Sequence, residues 1–389
     1  MDLLIVAIFL VFPLGEIARI HLGEVSVGLI DLLMLPAIFL SLRVSYKEKS
    51  KLLYPIALTA LAFLFSLLIN LSQYSLDQSL VAILYLIRWI SYSSIYIILL
   101  RFARKNKKNL YRYMFFSGAL FLTLGFFQYF FYPSLKNLYY LGWDEHMYRL
   151  FSTFLDPNFT GIFMSLFLFF SFILRDKIAG KNKTLKFLVD TSIPFSALAV
   201  VLTYSRSALI TLLTGFFVYC IIKRNVRLLA FILFSSILVF VVLSKNFYIE
   251  NTNLLRTASS KQRLETIVQS VEIYKKSPVF GIGFNALRYA REESGFKDKS
   301  LFGPSHSGAG VDNSFVFVLV TSGIVGLAAY LYLLYSIFLL AVKKLSEPEG
   351  VLLLVSLSGL VISSFFINSL FFSFLMIWVW ALAAISERT

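Results

Sequence analysis

The chain of 389 residues has one cysteine, three histidines and few charged residues, 15% in all. Cys220 lies inside an apolar run, so an intramolecular disulfide and a cysteine-based metal site are both excluded. His21, His146 and His306 are widely separated, and no acidic pair has the DxD spacing of a divalent-metal motif, so we predict no metal and no cofactor. Ordinary soluble domains carry about 25% charged residues, so this composition excludes that class.

Apolar runs recur along the whole chain, which is 58% hydrophobic and contains 41 phenylalanines. Runs of this length predict membrane spans, and only helices satisfy their own backbone in hydrocarbon. We therefore predict an all-α fold, a polytopic transmembrane bundle of about twelve helices. The expected spans lie at approximately 3–20, 25–42, 52–71, 80–100, 110–132, 157–174, 187–204, 208–222, 228–244, 314–342, 351–367 and 370–385.

Two of these spans are ambiguous in the sequence. The run "MDLLIVAIFLVFPLGE" is short and contains Pro13, but it has no basic n-region and no cleavage site, so we expect a retained first span. The last apolar run fits one long helix or two, with Asn368 near the turn.

The basic residues indicate the orientation. Most lysines and arginines lie in "RVSYKEKSK", "RFARKNKKNLYR", "RDKIAGKNKTLK", "KRNVR" and "KK", all on one side of the expected layout. The positive-inside rule makes these connectors and both termini cytoplasmic. The net charge of +15 therefore reflects topology, and no single basic face indicates a nucleic-acid partner.

The longest connector falls on the opposite side. It divides the chain into residues 1–244 with nine spans, an external loop domain at 245–313, and residues 314–389 with three spans. Within the loop, a capping box from Ser259 to Gln262 predicts an amphipathic helix that ends at Ser277-Pro278. A second helix is expected at 286–294, and the strip "GPSHSGAG" completes a loop that is typical of a lid.

Several arginines are candidates for binding an anion. Arg206 lies between Ser205 and Ser207 at an external hairpin, and the donors of these three side chains suit a phosphate. The alternative is an arginine that only reaches the lipid head groups at the membrane interface. Arg88 lies near mid-membrane, either in an ion pair with Asp31 or Asp190 or facing substrate. Arg263 begins the loop helix and could equally face solvent, and Arg288 and Arg291 on the next helix carry a weaker signal.

The titratable groups of the expected lid are His306 and Asp312. We expect Asp312 to orient an acceptor hydroxyl, with a pKa depressed by nearby arginines, whereas His306 titrates near neutrality. Asp156 in "FLDPNFTG" fits a helix N-cap followed by Pro157. The loop "NLYYLGWDEHMYRLF" suits stacking on sugars and an interfacial aromatic belt equally.

Motifs in the second half resemble those of the O-antigen ligase and polymerase family. In family order they are "FSTFLDPNFTG", "LTYSRSA", "SSKQRLETI" with "KKSPVFGIGFN", and "DNSFVFVLVTSGIVGL". The resemblance implies a metal-independent, GT-C-like glycosyltransferase that uses an undecaprenyl-diphosphate-linked glycan donor at the outer face of the bacterial cytoplasmic membrane. It implies that Arg206 and Arg263 bind the donor diphosphate.

One departure from the family favours a polymerase. The ligases' His-Asn, proposed to hold the catalytic base, falls on Asp312-Asn313. We expect polymerisation of lipid-linked repeats, with a ligase that transfers the glycan to lipid A-core or another acceptor as the alternative. A transporter of lipid-linked sugars is the rival class, but the halves of the chain show no self-similarity. The expected partners are the lipid-linked donor, a glycan or lipid acceptor and the bilayer, with a chain-length regulator or flippase of the pathway as further candidates.

Overall fold

The computed structural model describes residues 1–22, 25–45, 50–141, 143–245, 258–296 and 310–388. Helices make up most of this part of the chain, which confirms the all-α prediction. In chain order they are α1 (Asp2–Val11), α2 (Leu29–Ser45), α3 (Leu53–Asn70), α4 (Leu76–Phe131), α5 (Pro157–Ile173), α6 (Arg175–Ala179), α7 (Lys183–Leu202), α8 (Arg206–Lys223), α9 (Val226–Lys245), α10 (Ala258–Tyr274), α11 (Leu287–Glu293), α12 (Ser314–Val342), α13 (Pro348–Ser363) and α14 (Ser373–Arg388).

Five helices of the described chain, α3, α4, α7, α8 and α12, are long and apolar enough to cross a membrane. Shorter apolar helices include α5, α13 and α14. The protein is therefore an integral membrane protein. The number of about twelve spans stays a prediction.

The N-terminal region differs from the expected continuous span over 3–20. Helix α1 has 10 residues, or about 15 Å, against a hydrocarbon core of about 30 Å. Pro13 lies in the 3₁₀ turn that follows, and Gly15 adopts a φ of 56°, so the α-helix cannot continue. An antiparallel hairpin of β1 (Arg19–Leu22) and β2 (Val25–Gly28) then leads into α2.

Two other regions follow the expected spans. Both spans expected at 80–100 and 110–132 are helical, and they are the two parts of α4, which meet at a kink at Asn106, where the φ of −142° is not helical. The basic segment between them is therefore largely helical. The last apolar run forms two helices, α13 and α14, which resolves the alternative left open by the sequence.

A buried carboxylate joins three helices at the end of the bundle that carries the basic connectors. Glu349 of α13 is 1% exposed and accepts hydrogen bonds from Lys107 of α4 at 2.7 Å and Lys177 of α6 at 2.8 Å. The Tyr111 hydroxyl donates to the same carboxylate. Two connectors that the positive-inside rule places together thus meet in the structure.

Helix α12 is broken at Gly323, and residues 278–283 fill the break. We call this stretch the inserted segment. Gly323 has a φ of 65°, so the helical hydrogen bonds fail around it. The inserted segment supplies substitutes: Ile282 N to Val320 O (3.1 Å), Gly283 N to Thr321 O (3.1 Å), Ile324 N to Pro278 O (3.0 Å) and Val325 N to Val279 O (3.3 Å).

Side chains from α3 and the turn after it hold the inserted segment in place. Asn70 donates to Gly281 O at 3.0 Å, and the Tyr74 hydroxyl donates to Ile282 O at 2.6 Å. Ser66 donates to Thr321 O, which also lies at the break, at 2.7 Å. The "GIG" turn is therefore a structural joint between the α9–α12 connector and the bundle.

Candidate functional site

A cavity of about 740 Å³ opens at the end of the bundle opposite Glu349. Helix α13 runs from Glu349 away from the basic connectors, and Asn368, beyond its far end, lines the cavity. The volume lies within the range of about 300–1,000 Å³ found for ligand pockets. Its aromatic wall is formed by Trp89, Phe154, Phe159, Phe284, Phe317, Phe371 and Phe372.

The polar wall brings together most of the candidate residues. Arg88, Arg263, Arg288 and Asp312 all line the cavity, although they come from four separate parts of the chain. Arg263, in the second turn of α10, places Nε 3.4 Å from Asp312 Oδ2. Helix α10 therefore brings an arginine beside Asp312, as the expectation of nearby arginines required.

The backbone around Asp312 is fixed by its neighbour. Asn313 is the N-cap of α12, and its Oδ1 accepts from Phe315 N at 2.9 Å and Val316 N at 3.0 Å. This leaves the Asp312 carboxylate outside the capping role and facing the cavity. Asn313 thus caps the helix, and Asp312 remains available to a ligand.

The expected depression of the Asp312 pKa is wrong. Burial raises the pKa of this carboxyl and Asp156 raises it further, and together they outweigh the opposing effect of Arg263. A carboxylate with a raised pKa accepts a proton more readily than an ordinary aspartate. The raised pKa thus suits Asp312 to accept a proton, in addition to the predicted orientation of an acceptor hydroxyl.

Asp156 has the predicted capping role and a second one. Its Oδ1 accepts from Asn158 N at 2.6 Å and Phe159 N at 3.2 Å, with Pro157 at the first helical position. The carboxylate also lines the cavity and interacts electrostatically with Arg149 and Arg263. Burial raises the pKa of Asp156 by more than these partners lower it.

Arg88 forms an ion pair with Asp31, which was one of the two roles predicted for it. Its Nε lies 2.7 Å from Asp31 Oδ1, and the guanidinium lies 5.9 Å and 5.8 Å from the ring centroids of Tyr85 and Tyr92. Asp190 pairs instead with Arg175. Because Arg88 also lines the cavity, the ion pair orients a cation that a ligand can reach.

Arg206 lies apart from the cavity wall. It is the first residue of α8, and its charge is close enough to interact with that of Arg263, but it is not among the residues that line the cavity. The expectation that Ser205 and Ser207 add donors for an oxyanion is wrong. Both are buried, with their hydroxyls 2.9 Å apart, and Ser205 caps α8 and donates to Asn158 at 2.8 Å.

The sequence predicted one part of the cavity wall only as an aromatic loop suited to sugar stacking or to the interface, and its charged residues were missed. Trp143, Asp144, Glu145, His146 and Arg149 line it from the connector between α4 and α5. Arg149 is 3% exposed and its Nε donates to Thr203 O at 2.8 Å. The only sequence signal was the aromatic and charged composition of "GWDEHMYR", which does not reveal that the connector folds over a cavity.

Some predicted residues lie outside the described part of the chain, and one lies away from the cavity wall. His306 and most of "GPSHSGAG" lie outside the described ranges, as do the side chains of Ser259 and Gln262, although α10 begins at Ala258 near the expected cap. Arg291 donates to Gln269 Oε1 at 2.9 Å and joins α11 to α10. Among the described residues, no three His, Cys, Asp or Glu side chains are grouped as a metal site requires.

Comparison with known protein families gives a match over part of the chain. Residues 192–331 match the family model described as O-antigen ligase. The matched region covers the second half of α7, then α8 to α11 with the inserted segment and the first part of α12, and it includes Arg206, Arg263, Arg288 and Asp312. No curated protein matches the chain.

Proposed function

Because residues 192–331 form a domain of the O-antigen ligase-related family, we propose that the chain is a membrane glycosyltransferase that polymerises undecaprenyl-diphosphate-linked oligosaccharide repeats. The donor and acceptor would meet in the 740 Å³ cavity, at the outer face of the bacterial cytoplasmic membrane. The observation that carries the proposal is the contact between Arg263 and Asp312 inside this cavity.

The composition of the cavity suits an amphipathic lipid diphosphate. Its aromatic wall provides apolar surface, while Arg88, Arg263 and Arg288 provide fixed cations at the polar wall. Guanidinium groups bind phosphate oxygens through two parallel hydrogen bonds. Arg206 does not line the cavity, but its charge interacts with that of Arg263. It would therefore add to the positive potential at the cavity entrance.

The proposed reaction needs one base and one anion site. An acceptor hydroxyl oxygen attacks the anomeric carbon of the donor, and its proton passes to the Asp312 carboxylate. The bond from that carbon to the phosphate oxygen breaks, and the diphosphate leaves with the electron pair. Arginines stabilise the charge that develops on the leaving group, so the step proceeds without a metal.

A ligase is the second candidate, favoured by the description of the matching family model. Both candidates use the same donor and differ in the acceptor. The Asp312-Asn313 pair in place of His-Asn supports the polymerase, because it departs from the ligase pattern at the position of the base.

A glycan profile of a deletion strain tests the proposal. A polymerase deletion leaves single repeats attached to the acceptor, and complementation restores long chains. A ligase deletion leaves long lipid-linked chains unattached. A strain that loses the surface glycan and retains lipid-linked single repeats on the cytoplasmic side would support the transporter and overturn both enzyme hypotheses.

A further inference from the structure

The link between α13 and α14 contributes a residue to the cavity whose role is unassigned. The link includes a 3₁₀ turn, Ser369–Phe371, and Asn368 precedes this turn. Asn368 lines the cavity together with Ile367, Phe371 and Phe372. The residues of the link that line the cavity are otherwise apolar, and the next polar residue, Ser373, interacts with Tyr92.

This link is fastened to the segment that carries Asp312. Asn313 Nδ2 donates to Phe365 O at 3.1 Å, and Ser314 N donates to Ser364 O at 2.9 Å. Leu370 N donates to Ser314 Oγ at 3.2 Å. These three bonds, on both sides of Asn368, hold the amide and the candidate base on adjoining parts of the cavity wall.

The amide oxygen of Asn368 is buried and has no hydrogen-bond partner within the described part of the chain. Buried polar atoms are nearly always paired, so this oxygen is an acceptor that no group in the described part of the chain uses. An amide oxygen accepts only, and phosphate oxygens also accept, so a diphosphate does not suit it. The donor that it lacks is a hydroxyl or an N–H, which a ligand in the cavity supplies once the amide has rotated toward it.

We propose that Asn368 binds the acceptor sugar. Its amide oxygen accepts a hydrogen bond from a hydroxyl or acetamido N–H next to the attacking hydroxyl, and this holds the attacking hydroxyl toward Asp312. The terminal torsion of asparagine is broad, so the amide turns this oxygen to the cavity when the sugar enters. The inference rests on the proposed function, because it presupposes a glycan acceptor.

The test uses the full-length protein in lipid nanodiscs. The substrate is the lipid-linked glycan extracted from a strain that lacks this chain, and undecaprenyl diphosphate without sugar is the binding probe. Asn368→Leu keeps the volume but loses the acceptor atom, and we expect kcat/KM to fall about tenfold, the cost of one hydrogen bond to an oriented substrate. Binding of undecaprenyl diphosphate stays at the wild-type value.

Two further readouts separate this role from a structural one. Leucine replaces an unsatisfied amide, so the unfolding temperature of Asn368→Leu does not fall. Asn368→Asp retains an acceptor oxygen and adds a negative charge near Asp312, so the acid limb of the activity profile moves to higher pH. Asn109→Leu, at a partly exposed asparagine of α4 that does not line the cavity and lies at the opposite end of the bundle, is the matched control and keeps full activity.

Wild-type kcat/KM in Asn368→Leu, or an equal loss of undecaprenyl diphosphate binding, would overturn the inference. Should the leucine variant fail to insert, Asn368→Ala carries the same comparison. If the wild-type protein binds undecaprenyl diphosphate but forms no transfer product from the lipid-linked glycan, the proposed function fails instead.

Discussion

Two carboxylates in the cavity share one cation. Asp312 contacts Arg263 at 3.4 Å, and Asp156 interacts with the same arginine. Burial raises the pKa of Asp312 most, and the negative charge of Asp156 raises it further. Against this background, the charges of Arg263 and Asp156 adjust the pH at which Asp312 can accept a proton.

This balance predicts opposite pH shifts for two substitutions. Arg263→Gln removes the cation that lowers the Asp312 pKa, so the acid limb of kcat/KM moves to higher pH. Asp156→Asn removes a charge that raises the pKa, so the acid limb moves to lower pH, while asparagine still caps α5. Activity measured from acidic to neutral pH checks both, and shifts of the same sign would contradict the shared-cation arrangement.

Asp312→Asn should lower turnover by about 10²- to 10⁴-fold, the usual contribution of a general base, with little loss of donor binding. Asp312→His, which restores the ligase residue, retains partial activity if the position itself is catalytic. His306→Ala keeps most activity. Steady-state kinetics with the lipid-linked glycan measures all three, and the reverse pattern would assign the base to His306.

Arg206→Lys should be nearly as damaging as Arg206→Ala. Lysine retains the charge but loses the two-pronged geometry that a diphosphate uses. Arg224→Lys, at an exposed residue at the other end of α8, is the matched control. Full activity of Arg206→Lys at normal expression would mean that Arg206 only anchors the helix at the interface.

The sequence pattern predicted the role of a single residue well where that role depends only on neighbouring residues or on a small choice of partners. The cap at Asp156 needed only the order Asp-Pro, and the partner of Arg88 was one of two intramembrane aspartates. Ser205 and Ser207 could not be assigned in the same way, because their burial depends on Asn158, which is distant in sequence. The raised pKa of Asp312 likewise depends on enclosure by several elements.

At the scale of elements, the joint between the inserted segment and α12 depends on two glycines. A Cβ at Gly323 would lie 2.2 Å from Val279 O, and one at Gly281 would lie 2.5 Å from Gly323 N. Both residues also have positive φ, which costs other residues about 1–3 kcal/mol before any clash.

Gly323→Ala and Gly281→Ala should therefore each destabilise the protein by more than about 3 kcal/mol, with loss of the folded form in detergent. Gly310→Ala, at a site with no atom within 4 Å, should leave the unfolding temperature unchanged. Thermal unfolding monitored by size-exclusion chromatography makes the comparison. An unfolding temperature equal to that of Gly310→Ala would contradict the joint.

Hydrophobic runs predicted most of the apolar helices, because burial in lipid depends on local composition. The capping box predicted α10, which is not an apolar run. The prediction of one span over 3–20 was wrong. Pro13 and Gly15 interrupt the helical hydrogen bonds of the backbone, and a hydropathy pattern does not detect this. The inserted segment was predicted only as a turn. Its four bonds to α12 join positions separated by about forty residues, which no local pattern reveals.

At the scale of the whole molecule, the two ends of the bundle differ in chemistry. Lys107, Lys177 and Glu349 form a buried ionic cluster at one end, and the cavity occupies the other. The positive-inside rule makes the first end cytoplasmic. The cavity would then open to the outside.

Single cysteines in a Cys220→Ala background test this orientation. Asn137 and Asp144 are exposed at the cavity end, so cysteines there should react with an impermeant thiol reagent in cells with a permeabilised outer barrier. Lys181 and Arg224, exposed at the other end, should react only after lysis. Position 205 is unsuitable despite its place in the hairpin, because it is fully buried. Labelling in the opposite order would invert the topology.

The break at Gly323 also bears on how the protein enters the membrane during synthesis. Backbone groups around the break find their hydrogen bonds in residues 278–283, which leave the ribosome first. Unpaired backbone groups are costly in hydrocarbon. The tenth expected span can therefore settle in the bilayer only after residues 278–283 have folded against it. Deleting these residues would impair insertion of the span as well as catalysis, and the quality-control proteases of the membrane would remove the chain before any enzymatic defect could be measured.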